Sequence, residues 1–519
     1  DAPSYISFIP KHPEYASLRS FPDSNYELSV NNPKAEELML GMFDDLMEAN
    51  KGGKYILFST DEAYYTGKAE SEKKRAEELG GNGRLLAEYI TRIGNKLYEK
   101  GRTVIIWGEY PLTPSDINSL PSHIVNGVYN DEWAPKFKGH GMRQLIYTST
   151  QGGEPLSPNY YKLPSKKTNG KSSLDLTDDE QQQGDISQGR VGEVLESIKS
   201  GIAAGKSDFM GVIVAAWGDA GLNPETFWLG YAAGSAAGWN SKSMASKDLT
   251  NRFYNSFYGN KTVNMDKVYQ LLSTQAEFWD KSWEWELSNW RTPILGNSFG
   301  IFDTPQQVKD QTLSSLPVPS GNDLSLNKDW KSNNKERLQS AEKFLKDNNE
   351  LMNLLHENLI NADYHHYNLQ VLRSVAQLCR QNLNMLLDLQ RINDFLNLAS
   401  IAASGNPAVA VSLIDQALDQ LKKIRDERNE VLQAVTTIWY QDWYPRVAEA
   451  NGRKYLDQVD DVKDHQPVSI VDMSYLIYRQ FTYPLGKWAE ETINARNTFE
   501  REQQLPMRNE VMDWERPGP

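Results

Sequence analysis

The first half of the chain alternates short apolar runs with longer amphipathic segments. Five apolar runs have the length and composition of strands, and they begin near residues 55, 103, 124, 144 and 210. A short continuous apolar run is typical of a parallel strand that is buried on both faces. Amphipathic segments such as 33–49, 70–100 and 191–204 lie between or before these runs. Strands that alternate with helices predict a parallel sheet with right-handed crossovers, and therefore an α/β fold.

The second half of the chain has a helical period. From about residue 245, apolar residues recur every three or four positions, as in Leu351, Leu355 and Leu359. This pattern predicts long helices packed as a bundle. The Gly-Asn-Pro turn at 405–407 separates two such helices, and the stretch 293–329, rich in Pro, Ser and Asn, predicts a linker. The predicted units are an incomplete TIM barrel at 1–245, a helical connection with a linker at 246–330, and a C-terminal helical bundle at 331–519.

Polar and aromatic residues gather where the predicted strands end. Asp61 and Glu62 follow the first strand, and they share a pocket only if that strand ends and the chain bends near Asp61. Active sites of α/β barrels lie at this end of the strands, and carboxylates beside aromatic faces suit sugars. The other interpretation is that Asp61 only caps the next helix. The residues at the remaining strand ends are Trp107, Glu109, Tyr129, Tyr147, Trp217 and Asp219.

Composition excludes several other classes of protein. The formal net charge of −14 argues against nucleic acid or an anionic membrane as the main partner. The single cysteine, Cys379, excludes an intrachain disulfide, and no apolar run is long enough to span a membrane. The seven histidines are scattered, and the sequence has no phosphate loop, nucleophile elbow or dinucleotide fingerprint. We therefore expect neither a metal nor a cofactor.

These motifs resemble those of one enzyme family. An Asp61-Glu62 pair at a strand end, a following strand that ends at Trp107, and Trp217-Gly218-Asp219 on the last strand resemble glycoside hydrolase family 20, the β-N-acetylhexosaminidases. The stretches 216–228 and 439–445 resemble large Bacteroidota-type members with a C-terminal helical domain. The resemblance implies that this chain carries strands four to eight of a (β/α)8 TIM barrel. A separate N-terminal fragment would then complete the barrel as a partner.

The resemblance also implies a mechanism, namely exo-acting, substrate-assisted, retaining hydrolysis of terminal N-acetylhexosamine. Glu62 would protonate the glycosidic oxygen, and Asp61 would orient the acetamido group of the substrate. Either Tyr147 or Tyr160 would face that group. Trp107, Trp217, Asp219, Glu109 and Tyr129 would line the sugar site. The family further implies no cofactor and a secreted, periplasmic or cell-surface location.

The sequence departs from the family at the signature itself. The His-x-Gly-Gly-Asp-Glu motif reads Leu57-Phe-Ser-Thr-Asp-Glu, without the histidine and both glycines. The alternative function is a non-catalytic glycan-binding or structural component of a larger assembly. A third hypothesis, an O-GlcNAcase-like enzyme, requires paired aspartates, and Glu62 speaks against it.

Overall fold

The protein contains a parallel sheet with helices on one face and a large helical region. The computed structural model describes residues 9, 13–22, 27–128, 130–150, 156–162, 189–216, 223–240, 245–280, 285–286, 307–308, 316–442, 447–450, 453–456 and 473–507. The strands of the sheet are β1 (Tyr55–Ser59), β2 (Thr103–Ile106), β3 (Val125–Asn126), β4 (Gln144–Ser149) and β5 (Phe209–Ala215). Short antiparallel pairs join Trp285–Glu286 to Gln307–Val308 and Val447–Ala450 to Arg453–Leu456.

The first helices alternate with the strands of the sheet, and the later helices form the helical region. They are α1 (Pro33–Ala49), α2 (Glu70–Leu79), α3 (Asn82–Glu99), α4 (Ala134–Gly139), α5 (Arg190–Ala204), α6 (Trp228–Trp239), α7 (Ser246–Tyr258), α8 (Met265–Asp280), α9 (Trp330–Asn333), α10 (Lys335–Asn361), α11 (His366–Ala402), α12 (Pro407–Trp439) and α13 (Met473–Glu502). Short 3-10 turns occur at Pro13–Leu18, Ile117–Ser119 and Pro224–Phe227. Among the described residues, no helix is both long enough and apolar enough to cross a bilayer.

The sheet is a half-barrel. Its strands lie in chain order, β1-β2-β3-β4-β5, and every neighbouring pair is parallel. Parallel neighbours in chain order require a crossover connection after each strand, and the sheet curls as part of a TIM-like barrel does. The predicted α/β fold with five parallel strands and a helical region is therefore confirmed. The division of the chain into three units stays a prediction.

The alternation of side chains along β1 explains which face of the sheet is covered. Ile56 and Phe58 are buried against the helices, and the Phe58 ring lies 5.8 Å from Phe43 of α1. Tyr55 and Leu57 point to the opposite, inner face of the half-barrel, where they are 48% and 45% exposed. The inner face at β1 is thus apolar and open.

Two predicted elements are shorter than their sequence patterns suggested. The single helix predicted over 70–100 is two helices, because Gly80 and Gly81 adopt φ values of +96° and +138°, which no continuous helix can contain. The strand predicted at 124–129 pairs only at Val125–Asn126. Beyond it, the Asn126 side chain forms hydrogen bonds with both the N–H and the carbonyl of Val128, and these bonds turn the chain away from the sheet.

The helical region shares its core with the second half of the sheet. One cluster of buried side chains runs from Ile146 on β4 to Phe499 on α13. Leu316 and Leu324 belong to it, so this part of the predicted linker packs in the core. The predicted turn between two long helices is confirmed, because α11 ends at Ala402 and Asn406 caps α12 through the N–H of Val409.

Candidate active site

The chain bends immediately after β1, at the two neighbouring acids. Thr60 and Glu62 have φ values of +65° and +47°, in the left-handed region that side chains other than glycine seldom adopt. Hydrogen bonds hold the bend. The Thr60 hydroxyl donates to the carbonyl of Trp107 at 3.0 Å, and the Tyr64 N–H donates to the carbonyl of Glu62 at 2.8 Å. The acids therefore leave the alternation of the strand, as a shared pocket requires.

Tyr64 lies close enough to three acidic residues to feel their charge. Its pKa is raised, first by burial of the phenol and then by the negative charges of Glu62, Asp61 and Glu109. A side-chain hydrogen bond to Glu62 raises this pKa further, with the phenol as donor. Carboxylates from the ends of two neighbouring strands, β1 and β2, thus act on a single hydroxyl group.

Aromatic side chains lie beside the acids. The buried Trp107 ring meets the Tyr147 ring of β4 edge to face, with 5.6 Å between centroids. Gly127 makes room for this indole, because a Cβ there would lie 2.6 Å from the ring. Tyr64 packs against Tyr110 at 5.6 Å, and Tyr110 is exposed. Of these rings, Trp107 is buried and Tyr110 is exposed to solvent.

A buried amide supports Trp107 and Glu109 from the next strand. The Asn126 Oδ1 accepts a hydrogen bond from the N–H of Gly108 at 3.0 Å, and its Nδ2 donates to the Gln144 Oε1 at 3.0 Å. Gln144 in turn donates to the carbonyl of Ala134 at 3.1 Å. This chain of amides links the carboxyl ends of β2 and β3 to the first residue of β4.

The structure brings most of the described candidates together. Asp61, Glu62 and Glu109 act on Tyr64, and Trp107 contacts Tyr147. The remaining candidates, Trp217, Asp219 and Tyr129, lie outside the described residues.

Tyr160, the alternative to Tyr147, lies elsewhere. It is buried, its hydroxyl donates to the carbonyl of Thr226 at 2.7 Å, and it accepts from the N–H of Gly230 at 3.2 Å. These bonds commit its hydroxyl to the fold, which leaves Tyr147 as the tyrosine beside Trp107.

Sequence reasoning missed Tyr64, Thr60 and Asn126. The signal for Tyr64 was its place two residues after Glu62, at the distance of a tight turn. No local pattern marks Thr60 or Asn126, because both form hydrogen bonds with the peptide group between Trp107 and Gly108, which is distant from each of them in the sequence. Within the part of the chain that the structure describes, no group of three or more His, Cys, Asp or Glu side chains is arranged to hold a metal ion.

Comparisons with known proteins give a structural likeness but no sequence match. No protein-family model matches the sequence, and a search of curated proteins finds no match. Among solved structures, the chain is similar to a GH138 enzyme targeting pectin rhamnogalacturonan II, with 10% identity and a TM-score of 0.38. The likeness covers 95% of this chain and 62% of that enzyme. This chain thus spans less than two thirds of that protein, and a likeness this low assigns no function.

The resemblance to glycoside hydrolase family 20 is wrong. No family model matches the chain, that of glycoside hydrolase family 20 included. The physical reason lies in the turn after β1. Where family 20 has two glycines, this chain has Ser59 and Thr60, and the Thr60 side chain itself closes the turn onto Trp107. An Asp-Glu pair after a strand is too short a motif to identify a family.

Proposed function

We propose that this chain forms part of a glycoside hydrolase whose site lies at the carboxyl ends of β1, β2 and β4. The observation that carries the proposal is the bend at Thr60 and Glu62, which lets Glu62 bind the Tyr64 hydroxyl where the charges of Asp61 and Glu109 are also felt. Hydrolysis of a glycosidic bond uses one protonated carboxyl and one carboxylate on either side of the scissile bond. Crowded like charges favour a proton on one member of such a group.

Each acid has a proposed role. Glu62 protonates the leaving oxygen, and the Tyr64 hydroxyl orients it. Asp61 and Glu109 are the two candidates for the carboxylate that faces the anomeric carbon. Replacement of that carboxylate by glycine opens a cavity in which added azide can attack the sugar. Azide therefore restores turnover to only one of the variants Asp61→Gly and Glu109→Gly.

The proposed substrate is an uncharged sugar. Tyr147 and Tyr110 provide aromatic faces for a sugar ring, and the buried Trp107 supports Tyr147 from behind. The three acids make the site negative, which disfavours uronic acids and other anionic sugars. The terminal N-acetylhexosamine predicted from the sequence is one uncharged candidate among several. Export to a place where glycans occur is part of the same proposal.

A panel of chromogenic glycosides tests the proposal. It contains neutral hexosides, deoxyhexosides, N-acetylhexosaminides and uronides. We expect turnover of an uncharged glycoside, and a loss of roughly 100- to 10,000-fold in Glu62→Gln, the range for removal of a general acid. Glu99→Gln, at an exposed position of α3, is the matched control and keeps full activity. The proposal would be overturned if the folded protein hydrolysed none of these glycosides, or if Glu62→Gln kept full activity.

The open inner face favours a second candidate function, a non-catalytic glycan-binding component of a larger assembly. Tyr55 and Leu57 are about half exposed there, whereas a closed barrel fills its interior with side chains. In this alternative, strands beyond the five described here cover that face. Calorimetry with an oligosaccharide distinguishes the two functions. Binding that is lost in Trp107→Ala and kept in Glu62→Gln would favour the binding component, provided that neither the chain nor the completed barrel hydrolyses the sugar.

A further inference from the structure

Two buried glutamates lie next to the turn that carries the acids. Glu27 is 1% exposed and Glu72, in the first turn of α2, is fully buried. Glutamates are seldom buried in this way, because a carboxylate loses its hydration unless other groups replace it. Their position therefore calls for a specific set of partners.

The first set of partners is the chain that follows the acids. Glu27 accepts hydrogen bonds from the N–H of Tyr65 at 2.8 Å and the Thr66 hydroxyl at 2.6 Å. Glu72 accepts a bond from the N–H of Gly67 at 2.9 Å. Two carboxyl groups thus bind three consecutive residues, of which the first adjoins Tyr64.

The second set of partners lies in the segment before α1. The other oxygen of Glu72 accepts bonds from the Ser29 hydroxyl at 2.6 Å and the N–H of Val30 at 2.8 Å. Ser20 lies within hydrogen-bond distance of both Glu72 (2.8 Å) and the carbonyl of Tyr65 (2.6 Å). Glu72 therefore connects the segment 20–30 to the residues that follow the active-site turn.

We propose that Glu27 and Glu72 are positioning residues that fix the turn bearing Asp61, Glu62 and Tyr64. They act through residues 65–67 and do not touch the proposed substrate. Catalytic side chains must be held within about 0.5 Å of their working geometry, and buried hydrogen bonds to the adjoining backbone supply such a constraint. The consequence for turnover rests on the proposed function, whereas the constraint on the turn does not.

The charge of Glu27 supports this assignment. Burial raises the pKa of Glu27 to about 8, the bonds from Thr66 and Tyr65 oppose the rise, and the charge of Glu72 adds to it. Tyr89 of α3 also faces both carboxyls, with Arg92 and Glu36 around it. Glu27 therefore carries a proton at neutral pH. Because burial disfavours the ionised carboxyl, a rise in pH towards 8 favours opening of the turn, in which Glu27 reaches water and loses its proton.

Hydrogen exchange measured by mass spectrometry tests the proposal without a substrate. In Glu27→Leu and Glu72→Gln, we expect the amides of residues 64–67 to exchange about ten-fold faster, as the loss of one buried hydrogen bond predicts. Glu27→Gln resembles the protonated acid and keeps wild-type protection. It also lacks the faster exchange that wild type gains as pH rises from about 5 to 8, where opening of the turn releases the Glu27 proton, after correction for the intrinsic rate.

The matched control is Asn358→Leu, which removes buried bonds to Val263 in the helical region. It is expected to leave the exchange of 64–67 unchanged. Two outcomes would overturn the positioning role. One is wild-type exchange of residues 64–67 in both Glu27→Leu and Glu72→Gln, and the other is an equal acceleration of amide exchange across all of residues 33–128. If Glu27→Leu does not fold, Thr66→Val takes its place, because it removes one hydrogen-bond donor to Glu27. A silent glycoside panel with the expected exchange would reject only the proposed function.

Discussion

Thr60 and Asn126 bind opposite ends of the same peptide group, the one between Trp107 and Gly108. The Thr60 hydroxyl donates to its carbonyl at 3.0 Å, and the Asn126 side chain accepts from its N–H at 3.0 Å. Thr60 follows β1 and Asn126 belongs to β3, so the peptide between them is held from both neighbouring strands. The acids after β1 and the Trp107–Glu109 segment after β2 are thereby fixed relative to one another.

Replacement of Thr60 tests the first half of this clamp. Thr60→Val keeps the shape of the side chain but leaves the buried carbonyl of Trp107 without its donor, and we expect a loss of about 1–3 kcal/mol of unfolding free energy. Thr60→Ser keeps the hydroxyl and is the control. Urea unfolding measures both variants. Equal stability of the valine and serine variants would show that the bond contributes nothing.

Replacement of Asn126 tests the second half. Asn126→Ala removes the acceptor of Gly108 and the donor to Gln144, so that buried polar groups on two strands lose their partners. We expect a loss of about 3 kcal/mol of unfolding free energy, because each buried unsatisfied group costs roughly 1–3 kcal/mol. Asn95→Ala, at an exposed position of α3, changes it by less than about 0.5 kcal/mol. Similar values for the two variants would contradict the clamp.

The placement of Tyr64 among acids predicts a change in its own titration. Glu62→Gln removes one negative charge beside the phenol, so the pKa of Tyr64 falls toward its ordinary value while burial keeps it elevated. Alkaline titration followed by ultraviolet difference spectra measures the change. Tyr64→Phe, alone and combined with Glu62→Gln, identifies the signal that belongs to Tyr64. An unchanged Tyr64 signal in Glu62→Gln would place Glu62 away from the phenol.

The elements that the sequence predicted well are those with a local cause. A continuous apolar run predicted β1, although only its Ile56 and Phe58 face is buried, and the Gly-Asn-Pro turn at 405–407 predicted the start of α12. The long helix over 70–100 was wrong at Gly80-Gly81, where two glycines in succession were a usable sign of the break.

The site depended on relationships that no local pattern contains. The bend at Thr60 and Glu62 requires positive φ values, and it persists because Thr60 reaches a carbonyl 47 residues away. The same distance hides the roles of Asn126 and Glu72. The family resemblance failed for a related reason, since an Asp-Glu pair can end many strands, and the residues that build the turn differ.

The stability of the protein is expected to fall as pH rises between about 5 and 8. The pKa of Glu27 rises from 4.5 to about 8 on folding. In that window the folded state holds a proton that the unfolded state has released, so each pH unit lowers the unfolding free energy by up to about 1.4 kcal/mol. This contribution is complete below about pH 4.5 and lost above about pH 8. Urea unfolding at a series of pH values measures the slope.

Two glutamine variants assign that slope to a residue. Glu27→Gln cannot ionise, so its unfolding free energy loses the decrease between about pH 5 and 8. Glu36→Gln is the control, because Lys96 and Arg92 outweigh the effect of burial and lower the pKa of Glu36. Glu36 therefore changes the unfolding free energy only at pH values below the ordinary pKa of a glutamate. The Glu36→Gln variant keeps the decrease that wild type shows between about pH 5 and 8. A decrease that survives in Glu27→Gln would show that a different group binds the proton on folding.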